Sequence, residues 1–97
     1  MEQIYTGDSV PLAFTITDAD GGVTPSAVQV DILKPGNIFE TECCPPVIEG
    51  NEVSCVVPGT CNDKPGLYKV YFVCTLSYGE RTHKMEYSVI VNPERER

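Results

Sequence analysis

The sequence predicts an all-β protein, built as a sandwich or a barrel. Three observations predict it. Apolar residues recur at every second position in several segments. Turn-forming residues separate those segments at intervals of about 8–12 residues. No segment repeats its apolar residues with the 3.6-residue period of an amphipathic helix.

The elements follow in order. In residues 10–17, Val10, Leu12, Phe14 and Ile16 fall on one face of a strand. Asp18-Ala19-Asp20-Gly21-Gly22 then forms a turn, because Asp bonds its own backbone and Gly tolerates positive φ. Val28, Val30 and Ile32 alternate with Gln29 and Asp31 in a second strand, which Lys34-Pro35-Gly36-Asn37 ends. Residues 38–41 form a short strand. Pro45 and Pro46 cannot donate to a ladder and break the region that follows. Glu49-Gly50-Asn51 turns the chain into residues 53–57, where Val53, Cys55 and Val57 share a face. A loop spans 58–66. In residues 67–77, Tyr68, Val70, Phe72, Cys74 and Leu76 point inward, and Tyr71 and Val73 point outward. Tyr78-Gly79 links this strand to a last one over 81–91, with Met85, Tyr87, Val89 and Val91 inward. These final strands form a hairpin. Six or seven strands are expected in all.

The 97 residues suit one domain, 1–97, with a short N-terminal arm (1–5) and a charged C-terminal tail (93–97). Seven Lys and Arg stand against 14 Asp and Glu, for a net charge of −7. Nucleic acid and anionic membranes both require a basic footprint, so neither is the expected partner. The N-terminal segment lacks the basic and apolar regions of a signal peptide. Synthesis and retention in the cytosol are expected.

The run Glu-Thr-Glu-Cys-Cys-Pro-Pro over residues 40–46 raises the question of metal or thiol chemistry. A structural zinc site prefers a C-x₂₋₄-C knuckle, whose spacing lets two thiolates reach one ion. Here Cys43 and Cys44 are adjacent, and the next spacings are 11, 6 and 13 residues, to Cys55, Cys61 and Cys74. No knuckle is present. In a reducing compartment thiols are the default. Pairing of Cys43 or Cys44 with Cys61 is geometrically possible; Cys55 and Cys74 fall on inward faces, where Cys acts as a small hydrophobe, and a bridge between them is open if they are neighbours in space. The expected reading of the run is a loop without chemistry.

His83, the one histidine, sits on a strand as an exposed or rim residue, and nothing in the sequence places a nucleophile and an orienting group beside it. Asp18 and Asp20 resemble a fragment of a calcium loop but lack its further oxygens and closing Glu. No phosphate loop, nucleophile elbow or HExxH motif occurs. Neither catalytic residues, nor a cofactor, nor a metal is expected.

Two stretches carry a resemblance. Residues 6–21, TGDSVPLAFTITDADG, give an extended entry, an alternating strand and an acidic glycine turn. Residues 64–93, KPGLYKVYFVCTLSYGERTHKMEYSVIVNP, give a Gly-x-Tyr strand, a short turn and a strand ending in Val-x-Val. Together they resemble small immunoglobulin-like structural proteins of tailed-bacteriophage virions, over about half of the chain. The resemblance implies an immunoglobulin-like antiparallel β-sandwich and no enzyme activity. It implies a capsid decoration (cement) protein that binds and stabilises the outer surface of the head. A tail or baseplate module is the alternative within the class. A non-viral adhesion or carbohydrate-binding sandwich is the alternative outside it. The partners implied are the major capsid protein or other virion proteins, in a homo-oligomer or a multivalent assembly on the particle, with no nucleic acid or membrane. Contact residues are expected from exposure: Met1, Ile4 and Tyr5 in the arm; Cys43, Cys44, Pro45, Pro46 and Val47 in the loop; outward Tyr71 and Val73; and Pro93 and Arg95 in the tail.

Overall fold

The computed structural model describes residues 2–41 and 44–91 of the chain. Their strands are β1 (Glu2–Tyr5), β2 (Val10–Thr15), β3 (Thr17–Asp18), β4 (Gly21–Gly22), β5 (Ala27–Lys34), β6 (Ile38–Thr41), β7 (Val47–Glu49), β8 (Glu52–Val57), β9 (Gly66–Leu76) and β10 (Gly79–Ile90). A single 3₁₀ turn, Gly59–Cys61, is the one helical element among the described residues.

The strands form two main layers. A five-stranded sheet has the order β1-β10-β9-β5-β6, and a three-stranded sheet has the order β2-β8-β7. The chain changes layer between β1 and β2, between β2 and β5, between β6 and β7, and again between β8 and β9. This is the strand arrangement of an immunoglobulin-like sandwich. The short β3–β4 pair is the expected acidic turn: the Asp20 amide donates to Asp18 Oδ1 at 2.8 Å.

Two strands were not expected. Five and three strands make eight in the main sheets, against six or seven read from the sequence. The N-terminal arm is strand β1, paired parallel to β10 from Glu2↔Tyr87 to Tyr5↔Ile90. It is held because the Thr6 amide donates to the Ile90 carbonyl at 2.8 Å and Ile4 packs on the core. The chain also resumes pairing just after Pro46, as β7. Every other ladder is antiparallel. Val91, expected inward, lies past the end of β10 and is 47% exposed.

Alternation fills the space between the sheets. Ile32, Tyr68, Val70, Phe72 and Tyr87 face inward from the larger sheet, and Val10, Val53 and Val57 face them from the smaller. The Tyr68 and Tyr87 rings stack at 5.2 Å, and Phe14 meets Phe72 edge-on at 4.9 Å. Buried hydroxyls need partners. Tyr68 Oη donates to the Lys64 carbonyl at 2.8 Å and accepts from the Lys64 amide at 3.2 Å. This is the tyrosine corner of immunoglobulin-like folds, at the start of β9. Asn62 is fully buried; its Nδ2 donates to the Asp8 carbonyl at 2.8 Å.

One charge is taken inside. Lys34 is 6% exposed, and its Nζ donates to Asp63 Oδ1 at 2.9 Å and Glu40 Oε1 at 3.2 Å. Burial is the largest influence on Lys34 and acts to lower its pKa. The hydrogen bonds and charges of Asp63 and Glu40 together outweigh it, so the pKa is pushed up to about 12.

Candidate protein-contact surface

The inner faces of the sandwich are packed with core side chains, which leaves its outer faces to solvent. On the three-stranded sheet, register puts Pro11 beside Val56, and Ala13, Ser54 and Val47 in one row. Pro11, Ala13, Ser54 and Val56 alternate with core residues of their own strands, and Val47 pairs with Ser54 on the same face, which fixes their outward direction. Pro45 leads the chain into this face. Together with the adjoining backbone these residues line a groove of about 630 Å³. Val47 is 51% exposed and Val56 is 56% exposed, so the groove floor is open to solvent.

Pro11 can stand in β2 because β2 is an edge strand. The Ile16 amide donates toward β8, to the Asn51 carbonyl at 2.9 Å. Amide directions alternate along an antiparallel strand, so the position of Pro11 faces away from β8. The missing N–H costs the ladder nothing there.

Pro45 also borders a second groove, of about 390 Å³, with Val28, Gln29, Val30, Thr41, Cys44 and Pro46. Pro45 thus stands between two surface hollows. Cys44 does not belong to the exposed set: it is 1% exposed and packs in the core. This small apolar side chain, followed by two prolines, is turned inward, while Pro45 and Val47 face solvent.

The other expected contact residues are scattered. Tyr71 and Val73 lie half-buried on the outer face of the five-stranded sheet. Tyr71 is between Asp31 and Lys84, and Val73 between Gln29 and Thr82. Tyr5 is 46% exposed at the β1 edge, whereas Ile4 packs on the core. Met1, Cys43, Pro93 and Arg95 lie outside the described residues. Pro11, Ala13 and Val56 were missed. The signal for them is that residues 10–13 and 55–57 are apolar at consecutive positions, on both faces of a strand.

His83 lines a cleft of about 220 Å³ at one end of the sandwich, with Phe14, Cys74, Arg81 and three threonines among its walls. Its ring stacks on Phe14 at 4.1 Å. Arg81 Nη1 donates to the Thr17 carbonyl at 3.1 Å. Burial holds the His83 pKa below its ordinary value, and the Arg81 charge adds to this. Burial pushes the Cys74 thiol up, and Arg81 opposes it more weakly. A nucleophilic cysteine needs the reverse, a thiol shifted down to thiolate. Cys61 Sγ donates to Glu40 Oε2 at 3.4 Å. Among the described residues no three of His, Cys, Asp or Glu gather as a metal-binding set. No helix among them is long and apolar enough to cross a membrane.

No family model matches the sequence, and no curated protein matches it. Among solved structures, the chain is similar to a family 123 glycoside hydrolase from Clostridium perfringens at 17% identity and a TM-score of 0.39. The match covers 94% of this chain and 22% of that one, so the chain spans under a quarter of the hydrolase's length.

Proposed function

We propose that the chain is a non-catalytic binding module: a structural protein of a tailed-phage particle, attached to the outer surface of the head as a decoration protein. The observation that supports this most is the open apolar strip of Pro11, Ala13, Val47 and Val56 on the three-stranded sheet. A sandwich with a filled core has no internal use for such a strip, and grouped exposed apolar residues mark protein contacts. The immunoglobulin-like fold and the sequence resemblance agree with this reading. Many copies on one shell would hold firmly even if each contact were weak.

The test is cosedimentation with assembled heads and, separately, with tails. Binding to heads, with heads lacking the chain breaking at lower temperature, is the expected result. Binding to tails alone assigns the chain to a tail or baseplate instead. Binding to neither removes the virion reading.

A further inference from the structure

We infer that the surface seated on the three-stranded sheet presents an apolar side chain with a lysine or arginine beside it. This rests on the binding-module reading above and names the chemistry of the partner.

The strip ends in a pair of carboxylates. Glu49 and Glu52 are cross-strand partners, flanking the Gly50-Asn51 turn, and Thr15 completes their row. Both glutamates are exposed on the outer face. Like charges placed directly opposite on a sheet destabilise it. Nothing on the sheet relieves the repulsion, because β2, β7 and β8 contain no Lys, Arg or His. Among the described residues, ion pairs are made by Lys34 with Glu40 and Asp63, and neither Glu49 nor Glu52 takes part in one.

The face is therefore graded. Pro11 and Val56 form an apolar end, Ala13, Ser54 and Val47 a middle row, and two carboxylates the other end. A partner with an apolar group over the first rows and a cation over the last satisfies both at once. Such charge pairing sets register and speeds encounter. A second copy of this sheet fits poorly, since it brings two further carboxylates and no cation. The net charge of −7 favours a basic partner in the same sense.

The test uses the isotope-labelled chain, NMR, and a short amidated peptide that alternates lysine with leucine. A glutamate–leucine peptide is the control. Expected are saturable amide shifts confined to Ala13, Val47, Glu49, Glu52, Ser54 and Val56, with the lysine peptide alone. The double variant Glu49→Gln with Glu52→Gln should weaken binding roughly threefold to tenfold, and salt should do the same. Val56→Asp, at an exposed site that leaves the fold intact, should abolish it. Equal binding of both peptides, shifts elsewhere, or no shifts overturn the inference. So does a dimer of the free chain in sedimentation velocity that Val56→Asp dissolves, which would make a second copy the occupant. Particle cosedimentation is independent of these readouts, so it can fail while the peptide result stands.

Discussion

Tyr87 Oη donates to Asn62 Oδ1 across 2.7 Å, joining the last strand to the loop that follows the 3₁₀ turn. Both residues are fully buried. Asn62 also bonds Asp8 through its side chain, and its carbonyl accepts from the Gly7 amide at 2.9 Å. One buried amide therefore gathers the β1–β2 connection, the β8–β9 connection and β10.

Tyr87→Phe keeps the ring stacked on Tyr68 but removes the donor to Asn62 Oδ1. A buried acceptor that loses its partner costs about 1–3 kcal/mol. Urea denaturation should show a loss in that range with an unchanged slope. No measurable loss would mean that the bond is dispensable.

The Lys34 cluster should show in the pH dependence of stability. The Lys34 hydrogen bond is the largest influence on Asp63 and holds its carboxyl below the ordinary value of 3.8. Its contribution is then complete above pH 3.8 and lost as pH falls through the lowered folded value. Lys34, raised from 10.5 to about 12, contributes fully below pH 10.5 and loses this as pH rises through about 12. Asp63 is 54% exposed, so solvent screens the pair and the effect is modest. Asp63→Asn should narrow its stability gap to the parent in acid; a gap unchanged between pH 6 and pH 2 would contradict the linkage.

Cys74 should resist alkylation in the folded protein. It is 1% exposed, and burial raises its thiol above the ordinary value of 9.0. Iodoacetamide labelling, located by peptide mass mapping, should proceed at the rate of chain opening and accelerate in denaturant. Labelling as fast as a model thiol in native buffer would show that the site is open.

Gly59 begins the 3₁₀ turn, against the backbone of the β1–β2 connection. A Cβ there would collide with the carbonyl of Gly7, which cannot swing away as a side chain could. Gly59→Ala should cost about 1–3 kcal/mol, as overpacking does. Gly50→Ala meets no atom within 4 Å and is strained only through its φ of 60°, so the two variants separate contact from conformation.

Much of this architecture was legible because one buried face imposes period-two alternation. Residues of β2, β5, β8, β9 and β10 show it directly, and Tyr68 and Tyr87 were correctly placed in the core. β1 was not legible: its four residues are too few for a pattern, and its partner lies at the other end of the chain. β7 has three residues directly after two prolines, so the turn signal masked it. Within the groove, Pro45 and Val47 were found from loop composition. Pro11 and Val56 were overlooked because neighbouring core residues in the same apolar runs drew the reading inward.

The parallel seating of β1 on β10 has a mechanical meaning. The two strands run the same way, so their outer ends, at Glu2 and Ile90, lie at opposite limits of the ladder. Tension drawn between those ends loads the four paired positions in shear, all together, and cannot peel them apart one by one. A chain anchored at both extremities would meet its greatest resistance at this seam, before the rest of the sandwich felt the strain.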